Sequence, residues 1–144
     1  MTDTILIVDP HVDVAEVLRT GIESVGYEAA TASGIAGAMA HAERIRPSLA
    51  VVNLSLPDGD GFRLLRLLKS RDPSLEVILM TGGGSSSAEV VEAIEEGAFH
   101  FLFKPFDLEE LRVAVEGALE HRRFLAERPD RKRKPEELEH RGRG

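Results

Sequence analysis

Short apolar runs and helical patterns alternate five times along the chain, at intervals of about 20 to 25 residues. Most of the runs are rich in Val, Ile, Leu or Phe and are bounded by turn residues, which is typical of strands buried on both faces. They lie at residues 4–8, 27–31, 49–52, 75–80 and 99–103. Because a helix separates each strand from the next, the strands are predicted to be parallel, with right-handed crossovers. The alternation therefore predicts an α/β fold of the flavodoxin-like type, a doubly wound five-stranded parallel sheet in a three-layer α/β/α arrangement.

Capping residues and glycines set the expected bounds of the helices. The first helix is predicted to be capped by Asp13 and stopped by Gly26, and the second to open at Ser33 and end before Pro47. The third helix is expected over about residues 61–70, and the fourth ends at Gly97. Further predicted capping groups are the pairs Ser86 with Glu89 and Asp107 with Glu110, and the turn residues Asp58 and Asp60.

The chain has no Cys, which excludes a disulfide framework, a thiolate metal site and a Cys nucleophile. His11, His41 and His100 do not have the spacing of metal ligands. The N-terminus has no basic segment ahead of a long apolar stretch, and no run approaches the roughly 20 apolar residues of a membrane span. We therefore expect a soluble, cytoplasmic protein that does not enter a membrane.

Charge is distributed unevenly along the 144 residues, whose net charge is -7. Residues 121–144 carry nine Lys and Arg against five Asp and Glu, a net charge of +4, and the rest of the chain carries -11. We expect one domain over residues 1–125 and a charged, disordered tail or linker over residues 126–144. An acidic body does not favour nucleic acid, and the tail has no aromatic residue after Phe124 to stack bases, so nucleic-acid binding is a minor alternative.

Four polar residues stand at the predicted carboxyl ends of strands: Asp9, Asn53, Thr81 and Lys104. In an open parallel sheet these ends meet at one edge, where ligands bind. An acid, an amide, a hydroxyl and an amine in that arrangement look like the remains of a site that handles phosphoryl groups. In such a site carboxylates hold Mg²⁺, one carboxylate attacks phosphorus, and Lys and hydroxyl groups hold the phosphoryl oxygens.

The sequence resembles the receiver domains of two-component response regulators over about residues 4–125. The resemblance is carried by ILIVD, NLSLPDGDGF, MTGGGS and AIEEGAFHFLFKPFD, together with the spacing between them. By position, Asn53 stands where the family has its phosphoacceptor Asp. Asp9 and Pro10 stand at the acidic pair that binds Mg²⁺, so Pro10 replaces an expected acidic ligand. The other implied positions are the switch residues Thr81 and Phe101, the invariant lysine Lys104 with Pro105 after it, and a carbonyl metal ligand at Ser55.

These replacements predict an altered chemistry. The lone pair of the Asn53 amide nitrogen is delocalised into the carbonyl, so Asn53 is a poor nucleophile and cannot give the acyl phosphate of a receiver. With one carboxylate left at Asp9, Mg²⁺ is expected to bind weakly or not at all, and we expect no cofactor. Simpler roles stay open: Asn53 could satisfy backbone groups at a turn, Lys104 could form an ion pair with Asp9, and Phe101 could belong to the core.

The favoured interpretation is an atypical receiver without enzyme activity, a protein-interaction module in two-component or phosphorelay signalling that works without phosphorylation. Its expected partners are a histidine kinase or an output protein, bound on the face formed by the fourth helix, the fifth strand and the fifth helix, and a homodimer stays open. One alternative is a phosphorylatable regulator in which Asn53 is a substituted or engineered acceptor. The other is nucleic-acid binding through the basic tail.

Overall fold

A five-stranded parallel sheet forms the centre of the computed structural model, which describes residues 3–83 and 86–126. The strands of this sheet are β1 (Thr4–Val8), β2 (Glu28–Ala32), β3 (Leu49–Asn53), β6 (Glu76–Thr81) and β7 (His100–Phe103), and a short hairpin is formed by β4 (Ser55–Leu56) and β5 (Gly59–Asp60). The strand order in the sheet is β2-β1-β3-β6-β7. The helices are α1 (Val12–Ser24), α2 (Ile35–Ile45), α3 (Gly61–Arg71), α4 (Ser87–Glu95) and α5 (Leu108–Ala126). The predicted flavodoxin-like fold is confirmed.

Two apolar layers hold the sheet between the helices. Side chains of alternate parity along each strand pack on opposite faces, as a strand's period of two requires. On one face the strands pack against α1 and α5, and on the other against α2, α3 and α4. Every residue of β3 and β6 is buried, which explains why, apart from the polar residues at their ends, all the residues of these two strands are apolar.

The strand order places a crevice at the carboxyl ends of β1 and β3. The chain leaves β1 toward β2 on one side and returns to pair β3 with β1 on the other side. At such a switch point the loops that follow the two strands diverge, and this is where open α/β sheets bind their ligands. Both strands end in a polar residue there, Asp9 immediately after β1 and Asn53 at the end of β3.

The turn after β3 caps a neighbouring helix. The Asp58 carboxylate accepts hydrogen bonds from the backbone N–H groups of Ile35 (2.8 Å) and Ala36 (3.1 Å) in the first turn of α2. Both bonds stabilise the ionised carboxylate, the bond from Ile35 more than that from Ala36, and they hold the pKa of Asp58 below its ordinary value. The N-cap residue of α2 is Gly34, and any side chain there would clash, because a Cβ would lie 2.8 Å from Asp58 Oδ1. The sequence predicted Asp58 as a capping residue but did not indicate that its helix is 22 residues upstream.

Most of the other helix caps are the ones that the sequence predicted. The capping box of Ser86 and Glu89 is present, and Asp60 and Asp107 cap α3 and α5 through the N–H groups three residues on. The prediction that Asp13 caps α1 was wrong, because the N-cap is His11. Asp13 lies inside the first turn, where its negative charge interacts favourably with the helix dipole.

The predicted domain boundary after residue 125 falls next to the last described residue, Ala126, and the predicted tail beyond it lies outside the described residues. Within the described residues, none of the helices has both the length and the apolar character needed to span a membrane.

Candidate functional site

A buried ion pair lies at the carboxyl edge of the sheet. The Asp9 side chain is fully buried, and its Oδ2 accepts a hydrogen bond from Lys104 Nζ at 2.6 Å. The other oxygen, Oδ1, accepts the backbone N–H of His11 at 2.8 Å and lies 3.2 Å from His11 Nδ1. Since both carboxylate oxygens have partners and a cation lies beside one of them, the charge of Asp9 is compensated within the protein.

Asn53 ends β3 beside this pair and is also buried. Its amide nitrogen donates a hydrogen bond to the carbonyl oxygen of Ser55 at 2.8 Å. Its Oδ1 is buried and has no hydrogen-bond partner among the described residues. Gly61 lies against the end of the strand, where a Cβ would be 2.9 Å from the Asn53 carbonyl oxygen, so only glycine lets the chain return this closely.

The remaining predicted residues lie on β6, on β7 and just after β7. Thr81 is buried at the end of β6, and its carbonyl oxygen accepts the backbone N–H of Lys104 at 2.7 Å. Phe101 is buried on β7 and stacks on the half-exposed ring of Phe103, with 5.2 Å between ring centroids. The peptide bond between Lys104 and Pro105 is cis.

The residues present do not fit a bound Mg²⁺. Asp9 is the only carboxylate in the cluster, and both of its oxygens are engaged. The Ser55 carbonyl oxygen accepts one hydrogen bond, from the Asn53 amide, and the neutral Oδ1 of Asn53 has no hydrogen-bond partner among the described residues. Within residues 3–83 and 86–126, no group of three or more His, Cys, Asp or Glu side chains could hold a metal ion. Mg²⁺ gives up its hydration waters reluctantly, so a single carboxylate that is already paired with Lys104, together with neutral oxygens, gives it too little negative charge.

The family model of the response regulator receiver domain matches residues 5–116 of the chain. The chain belongs to the response regulator receiver family. The match contains β1 from its second residue onward, the other four strands of the sheet and every residue of the site described above.

Individual proteins agree with this assignment. The receiver is 36% identical over 129 residues to the nitrogen assimilation regulatory protein NtrX of Azorhizobium caulinodans, across 88% of this chain and 28% of the relative. It is 32% identical to the sporulation initiation phosphotransferase F of Bacillus subtilis, across 80% of this chain and 92% of the relative. The crystal structure of a receiver domain protein from Clostridium thermocellum superposes with a TM-score of 0.80 at 26% identity, over 85% of this chain and 98% of that one.

The curated relatives differ in length. The receiver spans about a quarter of NtrX and of the regulatory protein AtoC of Escherichia coli, but nearly all of the Bacillus phosphotransferase. The similarity therefore assigns the receiver domain and does not extend to the further parts of the longer proteins.

The structure brings together most of the residues singled out in the sequence. Asp9 and Lys104 are in contact, Asn53 and Thr81 end adjacent strands, and Ser55 is bonded to Asn53. Pro10 is half-buried next to Asp9 and offers no oxygen from its side chain. The sequence patterns did not predict the contact of His11 with Asp9. The available signal was its place two residues after a buried Asp, where an aspartate commonly accepts the local N–H.

Proposed function

We propose that this receiver signals through protein binding and does not form an aspartyl phosphate. The observation that carries the proposal is the state of Asn53, whose amide is bonded to the loop carbonyl of Ser55. In the proposal Asn53 occupies the phosphoacceptor position and Pro10 the position of an acidic metal ligand. Neither side chain can supply the negative oxygen that attack on phosphorus or metal binding needs.

The ion pair supports the same proposal. A lysine that is to hold an incoming phosphoryl group must have its ammonium available to that group. Here Lys104 lies 2.6 Å from a fully buried carboxylate, and 20% of its side chain is exposed. We infer that the ion pair of Lys104 and Asp9 holds the pocket in a single conformation. We also infer that bound proteins set the conformation of the region that contains Thr81 and Phe101.

The proposed binding face is formed by α4, β7 and α5. It exposes four large apolar side chains: Val91 (52%), Ile94 (65%), Phe103 (49%) and Val113 (56%). Apolar side chains grouped on a monomer surface are typical of protein contacts. The proposed partners are a histidine kinase or an output protein of a two-component pathway.

A melting experiment with Mg²⁺ tests this proposal. Because a ligand that binds only the folded state adds RT ln(1 + [L]/Kd), a metal at ten times its Kd would stabilise the fold by about 1.4 kcal/mol. We expect millimolar Mg²⁺ to leave the melting temperature unchanged, and expect the variant with Pro10→Asp and Asn53→Asp to show a saturable rise. A saturable rise in the unmodified chain that Asp9→Asn removes would contradict the proposal.

A further inference from the structure

Two neighbouring helices each carry charges of a single sign. α3 contains Arg63, Arg66, Lys69 and Arg71 and no acid, whereas α4 contains Glu89, Glu92 and Glu95 and no cation, with Glu96 as its C-cap. Each of the other three helices in the described part of the chain contains both signs.

The stability of the individual helices explains only part of this pattern. Lys69 and Arg71 lie in the last turn of α3, where cations favour the helix dipole. Arg63 lies in the first turn, where the dipole favours acids, and α3 has no acid there. Glu95 and Glu96 lie at the carboxyl end of α4, where the dipole favours cations, and its last turn has none. These three charges oppose the dipoles of their own helices, so their signs need another reason.

The two charged surfaces are adjacent. Arg66 Nη1 lies 3.3 Å from the Glu96 carboxylate, in a pair whose side chains are 53% and 30% exposed. Arg63 and Arg66 are exposed three residues apart on α3, and Glu92 and Glu95 are exposed three residues apart on α4. Because both helices connect parallel strands of one sheet, both run from its carboxyl edge to its amino edge. The surface is therefore a positive ridge along α3 beside a negative ridge along α4.

We propose that this surface binds a second copy of the chain in a two-fold dimer. A rotation axis that lies between the ridges and parallel to them exchanges their positions, so the positive ridge of each copy faces the negative ridge of the other. Such a surface is self-complementary, as a two-fold interface must be. Opposite charges then meet in both halves of the interface, while an axis across the helices would place like charges together.

The proposed interface differs from the apolar face of α4, β7 and α5, and it does not depend on how the phosphoacceptor position behaves. Its contacts are exposed charge pairs, which salt screens over about 10 Å at 0.1 M. The dimer is therefore expected to be weak and to dissociate as salt is added.

Charge reversal and mixing test this proposal. One variant carries Arg63→Glu with Arg66→Glu, and the other carries Glu92→Lys with Glu95→Lys. In sedimentation velocity at about 20 mM salt, each variant alone is expected to lose dimer affinity by about tenfold or more, because all facing ridges then repel. An equimolar mixture of the two variants is expected to form a heterodimer, because each ridge again faces its opposite. The chain with all four substitutions is expected to dimerise as the unmodified chain does.

The matched control carries Glu16→Lys with Glu23→Lys on α1, which changes the net charge by as much as the α4 variant does but leaves the ridges intact. Its homodimer is expected to persist, and circular dichroism confirms that each variant is folded. The proposal is overturned if the unmodified chain is monomeric at low salt, if either ridge variant dimerises as the unmodified chain does, or if the mixture stays monomeric.

Discussion

The double variant with Pro10→Asp and Asn53→Asp is expected to take up phosphate from acetyl phosphate in the presence of Mg²⁺, while neither single variant does so appreciably. Asn53→Asp supplies a nucleophilic oxygen but leaves the metal with too few carboxylates, and Pro10→Asp supplies a carboxylate with nothing to attack phosphorus. The two changes act as a unit, so uptake by the double variant should exceed the sum of the single variants by up to about 100-fold.

The proposed chemistry would use two further groups, the Thr81 hydroxyl and the Lys104 ammonium. In the proposal, an aspartate at position 53 would place its attacking oxygen where Asn53 Oδ1 lies, an atom without a hydrogen-bond partner among the described residues, and Thr81 and Lys104 stand on the neighbouring elements. Lys104 is expected to leave Asp9 for the phosphoryl oxygens once a metal compensates the carboxylates. Adding Lys104→Ala to the double variant should therefore remove most of the uptake. A folded double variant that binds Mg²⁺ and takes up no phosphate would show that the geometry of the pocket differs from that of a working receiver.

Lys104→Met is expected to destabilise the fold by about 3 kcal/mol, measured as the free energy of unfolding in urea. The substitution keeps much of the side-chain volume but leaves the Asp9 carboxylate, which is fully buried, without its cation. Removing both charges should cost much less, because Asn at position 9 can still accept the N–H of His11. The double variant with Asp9→Asn and Lys104→Met is therefore expected to recover most of the lost stability.

The exposed pair of Arg71 and Glu43 provides the control for this experiment, since its side chains are 45% and 64% exposed. Arg71→Met should cost less than about 1 kcal/mol. The ion pair of Asp9 and Lys104 would be shown not to stabilise the pocket by either of two results. One is that Lys104→Met is as stable as the unmodified chain, and the other is that the variant with Asp9→Asn and Lys104→Met is no more stable than Lys104→Met.

The fold could be predicted because it depends on periodic signals that are local in sequence. Residues 5–8 are all apolar since both faces of the strand are buried there, and the glycine at position 97 adopts the positive φ that ends a helix. The observed bounds of the second strand, Glu28–Ala32, differ by one residue from the predicted bounds, 27–31. They differ because the bounds of this strand depend on its pairing with β1.

The site was only partly predictable. Strand ends identified Asp9, Asn53, Thr81 and Lys104, because parallel strands finish at one edge. The sequence could raise an ion pair between Asp9 and Lys104 only as one possibility, since 95 residues separate them. Asp58 capping α2 and Arg66 pairing with Glu96 likewise depend on the packing of elements that are distant in the chain. Such contacts follow from topology, and a local pattern does not specify them.

The most direct measurement of the central claim is the intact mass of the unmodified chain after incubation with acetyl phosphate and Mg²⁺, beside the double variant with Pro10→Asp and Asn53→Asp as the positive control. We expect the mass of the unmodified chain to stay unchanged while the control gains one phosphate. A gain of one phosphate by the unmodified chain that hydroxylamine removes would reveal an acyl phosphate, and would contradict signalling without aspartyl phosphate.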